Sequence, residues 1–191
     1  MLIISQNARN YGIPFPDDTI LRINLAWVNS LSELKELLEK NHEYLIFLDL
    51  PVGRIKPPNN KYTLDELIPL ISNHKNIKYF AVSNIEQKSD LDVYVKIIPK
   101  DITIIPKIES PYGVINIKEI MANIPSSDKV IMLDHDDLYS NILKQKKDPS
   151  TFSDYVNKLK IHCEENNITL LRTIGVIFSD EEKRITDYIG S

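Results

Sequence analysis

Seven short runs of β-forming residues, separated by helical segments, constrain the fold of this chain more than any other feature. The runs lie at residues 1–5, 19–27, 43–50, 77–84, 101–109, 129–135 and 168–174. Segments with helical periodicity lie between most of them. Two helix starts show capping-box spacing, Ser30 with Glu33 and Thr63 with Glu66. Strands that alternate with helices predict a parallel sheet against which the helices pack.

Polar side chains occur near the carboxyl ends of these strands. Because successive side chains of a strand point to opposite faces, Arg22 and Asn24 share one face of the second run. The same period places polar residues at the last positions of one face in the next three runs: Asp49, Ser83, Lys107 and Glu109. Barrel strands can turn polar residues inward there, whereas central strands of an open sheet are apolar on both faces. We therefore predict an α/β fold of the TIM-type (β/α) barrel class, with a pocket at the carboxyl ends.

The two ends of the chain fit a complete barrel poorly. The segment between the first two runs is too short and too rich in proline for the expected helix, and only GVIFSDEEKRITDYIGS follows the seventh run. We expect one domain over residues 1–191, a barrel that is closed, is incomplete, or has a degenerate first and last unit. An incomplete barrel exposes a sheet edge or an apolar flank, which a partner usually covers, so we expect a homodimer.

Composition excludes several classes of partner. The formal net charge of −4 provides no positive field for nucleic acid. No apolar run approaches the roughly 18 residues that cross a bilayer, and the start of the chain, MLIISQNARN, is unlike a signal peptide. The single Cys163 excludes an intrachain disulfide and agrees with a reducing compartment. We expect a cytoplasmic protein with no nucleic-acid or membrane partner.

Several motifs together resemble the catalytic barrel of pyruvate kinase. In IIPKIESPYGVINIKEI, residues 104–120, a strand ends in Lys-Ile-Glu and is followed by a Gly-Val turn and an Asn-x-x-Glu-Ile helix, as in that family. VIMLDHDDL then resembles its Asp-Leu loop, LRINLAW its Arg-x-Asn-Phe-Ser strand end, and FLDLPVGRIK its Asp-x-x-Gly-Pro-x-Ile-Arg segment. The resemblance covers roughly residues 20–140. It implies a pyruvate-kinase-like barrel of the wider phosphoenolpyruvate/pyruvate superfamily.

The resemblance implies a role for four residues in particular. Lys107 corresponds to the lysine that stabilises the enolate of pyruvate, and Arg22 to the arginine that contacts the phosphoryl group. Glu109 and Asp137 correspond to the two carboxylates that hold Mg²⁺ or Mn²⁺. Carboxylate oxygens are the ligands that a hard divalent cation prefers, and a nearby ammonium can neutralise charge on an enolate oxygen.

Further positions correspond to weaker parts of the family pattern. Asn24 and Asp49 match members of a monovalent-cation shell, but Ala26 replaces its serine, so a K⁺ requirement is doubtful. Candidate contacts to substrate or phosphate are Lys56, Ser83, Thr173 and His135. In an alternative interpretation, Lys107 and Glu109 form a structural ion pair, and the aspartates of DHDDL cap the next helix.

Three functions are compatible with the sequence. The residues after Lys56 leave no room for the lid domain that pyruvate kinases insert there, and we expect no counterpart of their carboxyl-terminal domain. Because phosphoryl transfer depends on such positioning, a magnesium-dependent enzyme of this type could retain a minimal transfer or only the enolisation half of the chemistry. Alternatives are a metal-dependent 2-oxo-acid aldolase or lyase, with His135 as candidate base, and a non-catalytic barrel that binds such a ligand or a partner.

Overall fold

All seven predicted runs form strands, somewhat shorter than the apolar runs themselves. The computed structural model describes residues 3–5, 15–16, 18–53 and 61–173. The strands are β1 (Ile3–Ser5), β2 (Ile20–Asn24), β3 (Leu45–Leu50), β4 (Ile77–Val82), β5 (Thr103–Ile108), β6 (Val130–Asp134) and β7 (Thr169–Thr173). They form one all-parallel sheet in the order β1 to β7. The α/β class is confirmed, and the sheet is a curled half-barrel.

The helices lie between the strands, as the alternation predicts. They are α1 (Leu31–Lys40), α2 (Leu64–Asn73), α3 (Asp92–Ile97), α4 (Pro111–Ile115), α5 (Ile117–Ala122), α6 (His135–Lys144) and α7 (Phe152–Glu165). Thr63 and Glu66 form the complete predicted capping box at the start of α2. At α1 the Ser30 hydroxyl accepts from the Glu33 amide, but the Glu33 carboxylate accepts from Asn29 instead of Ser30. Most of the segment before β2, and the segment after the seventh run, lie outside the described residues.

The two faces of the sheet have different surroundings. Side chains such as Leu21, Leu48 and Ile131 face the helices and pack with Leu34 and Leu138 in the main core. The other face carries a smaller cluster made of strand residues alone, here called the inner-face cluster: Ile20, Phe47, Ala81, Ile105, Val130 and Met132. Because no helix residue joins this cluster, it lies on the concave side of the half-barrel.

The parallel register brings the polar strand ends together at one edge. Asn24 lies beside Asp49, and Asp49 lies beside Ala81 on the next strand. Lys107 is level with Met132, one pleat above the inner-face cluster residue Ile105. The inner face is thus apolar towards the amino ends and ionic at the carboxyl ends.

Two further sequence expectations concern membranes and the cysteine. Among the described residues, no helix combines the length and apolar character that membrane crossing requires. Cys163 is buried in α7 on the helical side, and this burial raises the pKa of its thiol to about 11. A thiol with this pKa is almost entirely protonated at neutral pH, which agrees with the interpretation of Cys163 as a packing residue.

Candidate metal and substrate site

Lys107 is the centre of the ionic layer at the carboxyl edge. Its side chain is 6% exposed, and its ammonium donates to Ser83 Oγ at 2.9 Å. The same ammonium lies 2.9 Å from Glu109 Oε1 and 3.4 Å from Asp49 Oδ1. The period-2 argument that placed these side chains on one face is therefore confirmed. Three oxygen atoms hold the ammonium in one position.

Asp49 links Lys107 to Arg22. Its side chain is fully buried, and Oδ2 accepts from Arg22 Nε at 2.9 Å and also from Arg22 Nη2. The other oxygen, Oδ1, has no hydrogen bond within the described structure, so its contact with Lys107 is an ion pair without good alignment. The buried Asp49 carboxylate lies between Arg22 and Lys107 and holds both side chains in place by ion pairing.

Backbone and amide groups fix Glu109, which is only 3% exposed. Its Oε2 accepts the backbone N–H of Asn84 at 2.8 Å, and its carbonyl oxygen accepts from Asn141 Nδ2 at 2.8 Å. Asn84 has a φ of 57°, a left-handed conformation that asparagine tolerates better than most residues. The unusual backbone of Asn84 thus aims a donor at the carboxylate.

Three carboxylates converge beside Lys107. One oxygen each of Glu109, Asp134 and Asp137 lies within 4.8 Å of the others. Asp134 ends β6 and caps α6, since its Oδ1 accepts the backbone N–H of Asp137 at 3.2 Å. The strand therefore passes directly into a helix here, and the capping role considered for Asp134 is confirmed. A set of carboxylate oxygens that includes one buried group suits Mg²⁺ or Mn²⁺, with coordination positions left for water or substrate.

The charges of the site support the same donor set. Arg22 and Lys107 balance Asp49 and Glu109, and the exposed Lys144 offsets one of the two charges of Asp134 and Asp137, which leaves one negative charge in excess. Burial by itself lowers the pKa of Lys107, but Asp49 and Glu109 outweigh it and raise that pKa overall. Burial, aided by Asp137, raises the pKa of Glu109 above its ordinary value, against the opposing effect of Lys107. A divalent cation would neutralise this local excess.

A cavity of about 440 Å³ opens onto these groups. Arg22, Lys107 and Lys144 supply its positive lining, and Asn24 contributes an amide. Trp27 forms part of the wall and is 62% exposed. The cavity can hold a small anionic ligand in contact with both the cationic groups and the carboxylate cluster.

The other predicted site residues divide into four groups, and the last group is His135 with Thr173. Asn24 and Asp49 do not form an open cage for K⁺, because Asn24 Oδ1 accepts from the Ala26 amide at 3.0 Å and Asp49 pairs with Arg22 and Lys107. Ser83 lines the cavity and holds Lys107. Lys56 lies outside the described residues.

His135 and Thr173 lie beside each other but not among the residues that line the cavity. His135 Nδ1 is 2.7 Å from the carbonyl oxygen of Thr173, and its Nε2 accepts from Arg172 Nε at 3.1 Å. Because a guanidinium only donates, Nδ1 carries the proton of this ring. Both nitrogens of His135 are occupied, so the ring offers no free base to the cavity.

Comparisons with known proteins show the fold and nothing further. No family model matches the chain, and no curated protein matches it. A crystal structure of RipC from Yersinia pestis is similar to this chain, with a TM-score of 0.61 and 16% sequence identity. The match covers 94% of this chain and 77% of RipC. At this identity the likeness extends to the half-barrel and not to activity.

The assignment to pyruvate kinase, and with it to the wider phosphoenolpyruvate/pyruvate superfamily, is wrong. RipC is a similar solved structure, and no family model supports a pyruvate kinase domain. The quoted motifs are short groups of polar residues at the ends of consecutive strands. A parallel α/β sheet brings polar residues to these positions whenever it builds a pocket there, so the motifs reflect the architecture.

Sequence reasoning did not identify three groups that the structure adds to the site. Asp134 was considered only as a cap, although DHDD places it one helical turn before Asp137. The backbone of Asn84 and the exposed Lys144 could be assigned only from the folded chain.

Proposed function

We propose that this protein is a divalent-metal-dependent enzyme that forms the enolate of a 2-oxo acid, with Mg²⁺ or Mn²⁺ as its cofactor. One observation carries the proposal: the buried ammonium of Lys107 lies 2.9 Å from Glu109, whose carboxylate belongs to the three-carboxylate cluster. An ammonium next to a cation site suits a reaction in which negative charge develops on one oxygen.

The carboxylates of the site would bind the cation, and Lys107 would stabilise the negative charge of the enolate oxygen. Glu109, Asp134 and Asp137 would hold the cation, which would act as a Lewis acid on the keto oxygen. Lys107 donates to the enolate oxygen as charge accumulates there, and Asp49 keeps Lys107 protonated and in place. Because these interactions stabilise the enolate more than the 2-oxo acid itself, they raise the rate at which the proton leaves C3.

Arg22 positions the substrate carboxylate. Two of its nitrogens bind Asp49 Oδ2, while 26% of its side chain is exposed in the wall of the cavity. The guanidinium is thus anchored on one side and offers its remaining N–H groups on the other. An anchored donor loses little side-chain entropy when the substrate binds.

The sequential order of the strands bears on the barrel type and on the oligomeric state. We propose a TIM-type (β/α) barrel, because strands that follow in sequential order with ionic carboxyl ends are typical of that architecture. Within the described residues β1 and β7 each pair with a single neighbour, which supports a homodimer that covers an edge. Light scattering on the purified chain would give a mass near twice 22.0 kDa.

Carbon–carbon bond cleavage or formation is the second candidate, because enolate formation is its first half and a further cavity adjoins the site. Phosphoryl transfer, the other chemistry that the sequence predicts for this site, stays a prediction. His135 is not assigned as the base, because both ring nitrogens are occupied.

Hydrogen exchange tests the proposal directly. Pyruvate in deuterium oxide, followed by proton NMR, would lose its methyl signal in the presence of the protein and Mg²⁺. We expect Lys107→Met to slow this exchange by about 10²–10³-fold, as loss of one charge-stabilising donor does. Removal of the cation with EDTA would stop it.

Two controls separate loss of chemistry from loss of structure. Lys100→Met removes an exposed lysine after α3 and should leave the exchange unchanged. Lys107→Arg keeps the positive charge between Asp49 and Glu109, and circular dichroism would show whether each variant is folded. Exchange that survives both EDTA and Lys107→Met would contradict the proposal. Binding of oxalate with Mg²⁺ but no exchange would identify a non-catalytic binding protein.

A further inference from the structure

A second cavity of about 650 Å³ adjoins the metal and substrate cavity. Both cavities are lined by Gly53, Ser83 and Asn84, so they share one wall at the carboxyl ends of β3 and β4. A ligand in the second cavity would therefore lie next to Lys107 and the carboxylate cluster.

Hydrogen bonds fix the residues that the two cavities share. The backbone N–H of Asn84 donates to Glu109 on one side, and Asn84 Nδ2 donates to the carbonyl oxygen of Val52 at 2.6 Å. Gly53 has a φ of +68°, and a Cβ at this position would lie 3.3 Å from Asn84 Nδ2. A side chain at Gly53 would be strained and would press on Asn84. The two cavities therefore meet at residues whose positions are fixed.

Within the described residues, the polar groups of the second cavity include both donors and acceptors, because each Asn and Gln amide has a second N–H and Ser83, Tyr94 and Tyr112 carry hydroxyls. Asn116 Nδ2 donates to the backbone oxygen of Glu86 at 2.8 Å, which leaves Asn116 Oδ1. Gln87 Nε2 donates to Asp90 Oδ1 at 3.2 Å, which leaves Gln87 Oε1. Glu86 Oε1 accepts from Ser110 Oγ at 2.5 Å, which leaves Glu86 Oε2. A ligand with hydroxyl groups, each of which can both donate and accept, fits these groups.

The second cavity differs from the first in the charged residues that line it. Its described lining includes Glu86 and Asp90 and contains no lysine, arginine or histidine. The first cavity has three cationic residues: Arg22, Lys107 and Lys144. A phosphate or carboxylate in the second cavity would meet these two carboxylates, and among the described residues Lys147, 5.5 Å from the Tyr112 ring centroid, offsets only part of this repulsion.

Apolar surface completes the second cavity. Val82 and Ile85 are almost fully buried and lie under the polar atoms, while Tyr112 is 54% exposed and lines the same cavity. This combination accommodates a short carbon skeleton with hydroxyl groups.

We infer that the second cavity binds an uncharged, hydroxyl-bearing aldehyde, the reaction partner of the enolate. This inference rests on the proposed function. A new bond joins C3 of the enolate to the aldehyde carbon, the carbonyl π electrons move to the aldehyde oxygen, and that oxygen takes up a proton. The proton lost from C3 balances the one gained, so the net reaction is an addition that gives a 4-hydroxy-2-oxo acid.

Two aldehydes that differ by one phosphate test the inference. The protein, Mg²⁺ and pyruvate would be supplied with D-glyceraldehyde or with D-glyceraldehyde 3-phosphate, and product would be measured by NMR. We expect kcat/KM to be at least tenfold higher for the uncharged aldehyde. Glu86→Lys should reduce that preference at least tenfold, because it replaces a repulsive charge by an attractive one.

Matched variants guard against a loss of structure. Glu36→Lys makes the same charge change at an exposed position of α1 and should leave the preference unchanged. Glu86→Gln keeps an acceptor for Ser110 and should weaken the preference by less than Glu86→Lys does. An unchanged preference in folded Glu86→Lys would overturn the inference.

The methyl exchange of pyruvate, measured in the same samples, separates the two proposals. Exchange without any preference between the aldehydes would overturn the inference alone. Absence of exchange would count against the proposed function, and the cavity would then be tested by saturation transfer from protein to each aldehyde. Transfer to D-glyceraldehyde alone, lost in Glu86→Lys, would support the cavity assignment. Equal transfer to both aldehydes would overturn it.

Discussion

The two ends of the inner face are equally buried but chemically opposite. Towards the amino ends, Phe47 and Ile105 are fully buried in an apolar cluster. At the carboxyl ends, Asp49, Lys107 and Glu109 are 0%, 5% and 3% exposed. Apolar burial stabilises the fold by about 25 cal/mol per Å². Buried charges cost desolvation free energy, which their mutual contacts only partly offset.

The amino end and the carboxyl end of the inner face therefore have different roles. The inner-face cluster stabilises the sheet, while the ionic layer keeps charged groups in place for a ligand. Substitutions in the first should therefore change the free energy of unfolding, and substitutions at the ligand-facing rim of the second should change binding. Four predictions test the separation.

Phe47→Ala should have the largest effect on stability. Phe47 is fully buried and stacks on Tyr79 with ring centroids 6.2 Å apart. We expect the free energy of unfolding to fall by about 3–5 kcal/mol, measured by urea denaturation. Phe47→Leu, which leaves a smaller void, should cost less than half as much. A loss below about 1 kcal/mol for Phe47→Ala would show that this end is not a core.

Magnesium should stabilise the native protein through the carboxyl end. At a concentration 100 times its Kd, a ligand that binds only the folded state adds about 2.7 kcal/mol to the free energy of unfolding. We expect this gain with Mg²⁺ in urea denaturation, and its loss in the double variant Glu109→Gln/Asp137→Asn. The same gain in the double variant would place the bound cation elsewhere.

Asp137→Asn should weaken cation binding without changing stability. Asp137 is exposed, so we expect its substitution to alter the free energy of unfolding by less than about 0.5 kcal/mol. Mn²⁺ affinity, measured by electron paramagnetic resonance, should fall about tenfold, or about 1.4 kcal/mol. Asp136→Asn is the matched control, because Asp136 is also exposed but is not part of the carboxylate cluster. Equal losses in both variants would indicate a non-specific charge effect.

Replacement of K⁺ by tetramethylammonium should have the smallest effect. Asp49 is already paired with Arg22 and Lys107, and the Asn24 oxygen accepts a backbone N–H. We expect the thermal unfolding midpoint to stay the same at constant ionic strength. A clear decrease without K⁺ would show that the ionic layer also holds a monovalent cation.

The strands and their faces could be predicted because they depend on local pattern. A period of two in the fifth run was enough to place Lys107 and Glu109 on one face with Ile105. The structure bears out that placement, with Lys107 and Glu109 in direct contact above Ile105. Side-chain alternation is a property of the strand itself, so no knowledge of its neighbours is needed.

The partners across strands could not be predicted, because they depend on register and curvature. Arg22 and Asp49 are 27 residues apart, and their contact follows from the register of β2 against β3. Asp134 was treated only as a helix cap, yet the turn of β6 into α6 also brings it to Glu109 and Asp137. The family resemblance was wrong because it drew on strand-end motifs that many parallel sheets share.

Trp27 gives the protein a built-in optical reporter. It is the only tryptophan of the chain, is 62% exposed and lines the cavity that holds the carboxylate cluster. A paramagnetic ion such as Mn²⁺ bound at Glu109 would quench its emission over the short distance across the cavity. Occupancy of the site can thus be followed by fluorescence in the unmodified chain, without a label that would alter the pocket.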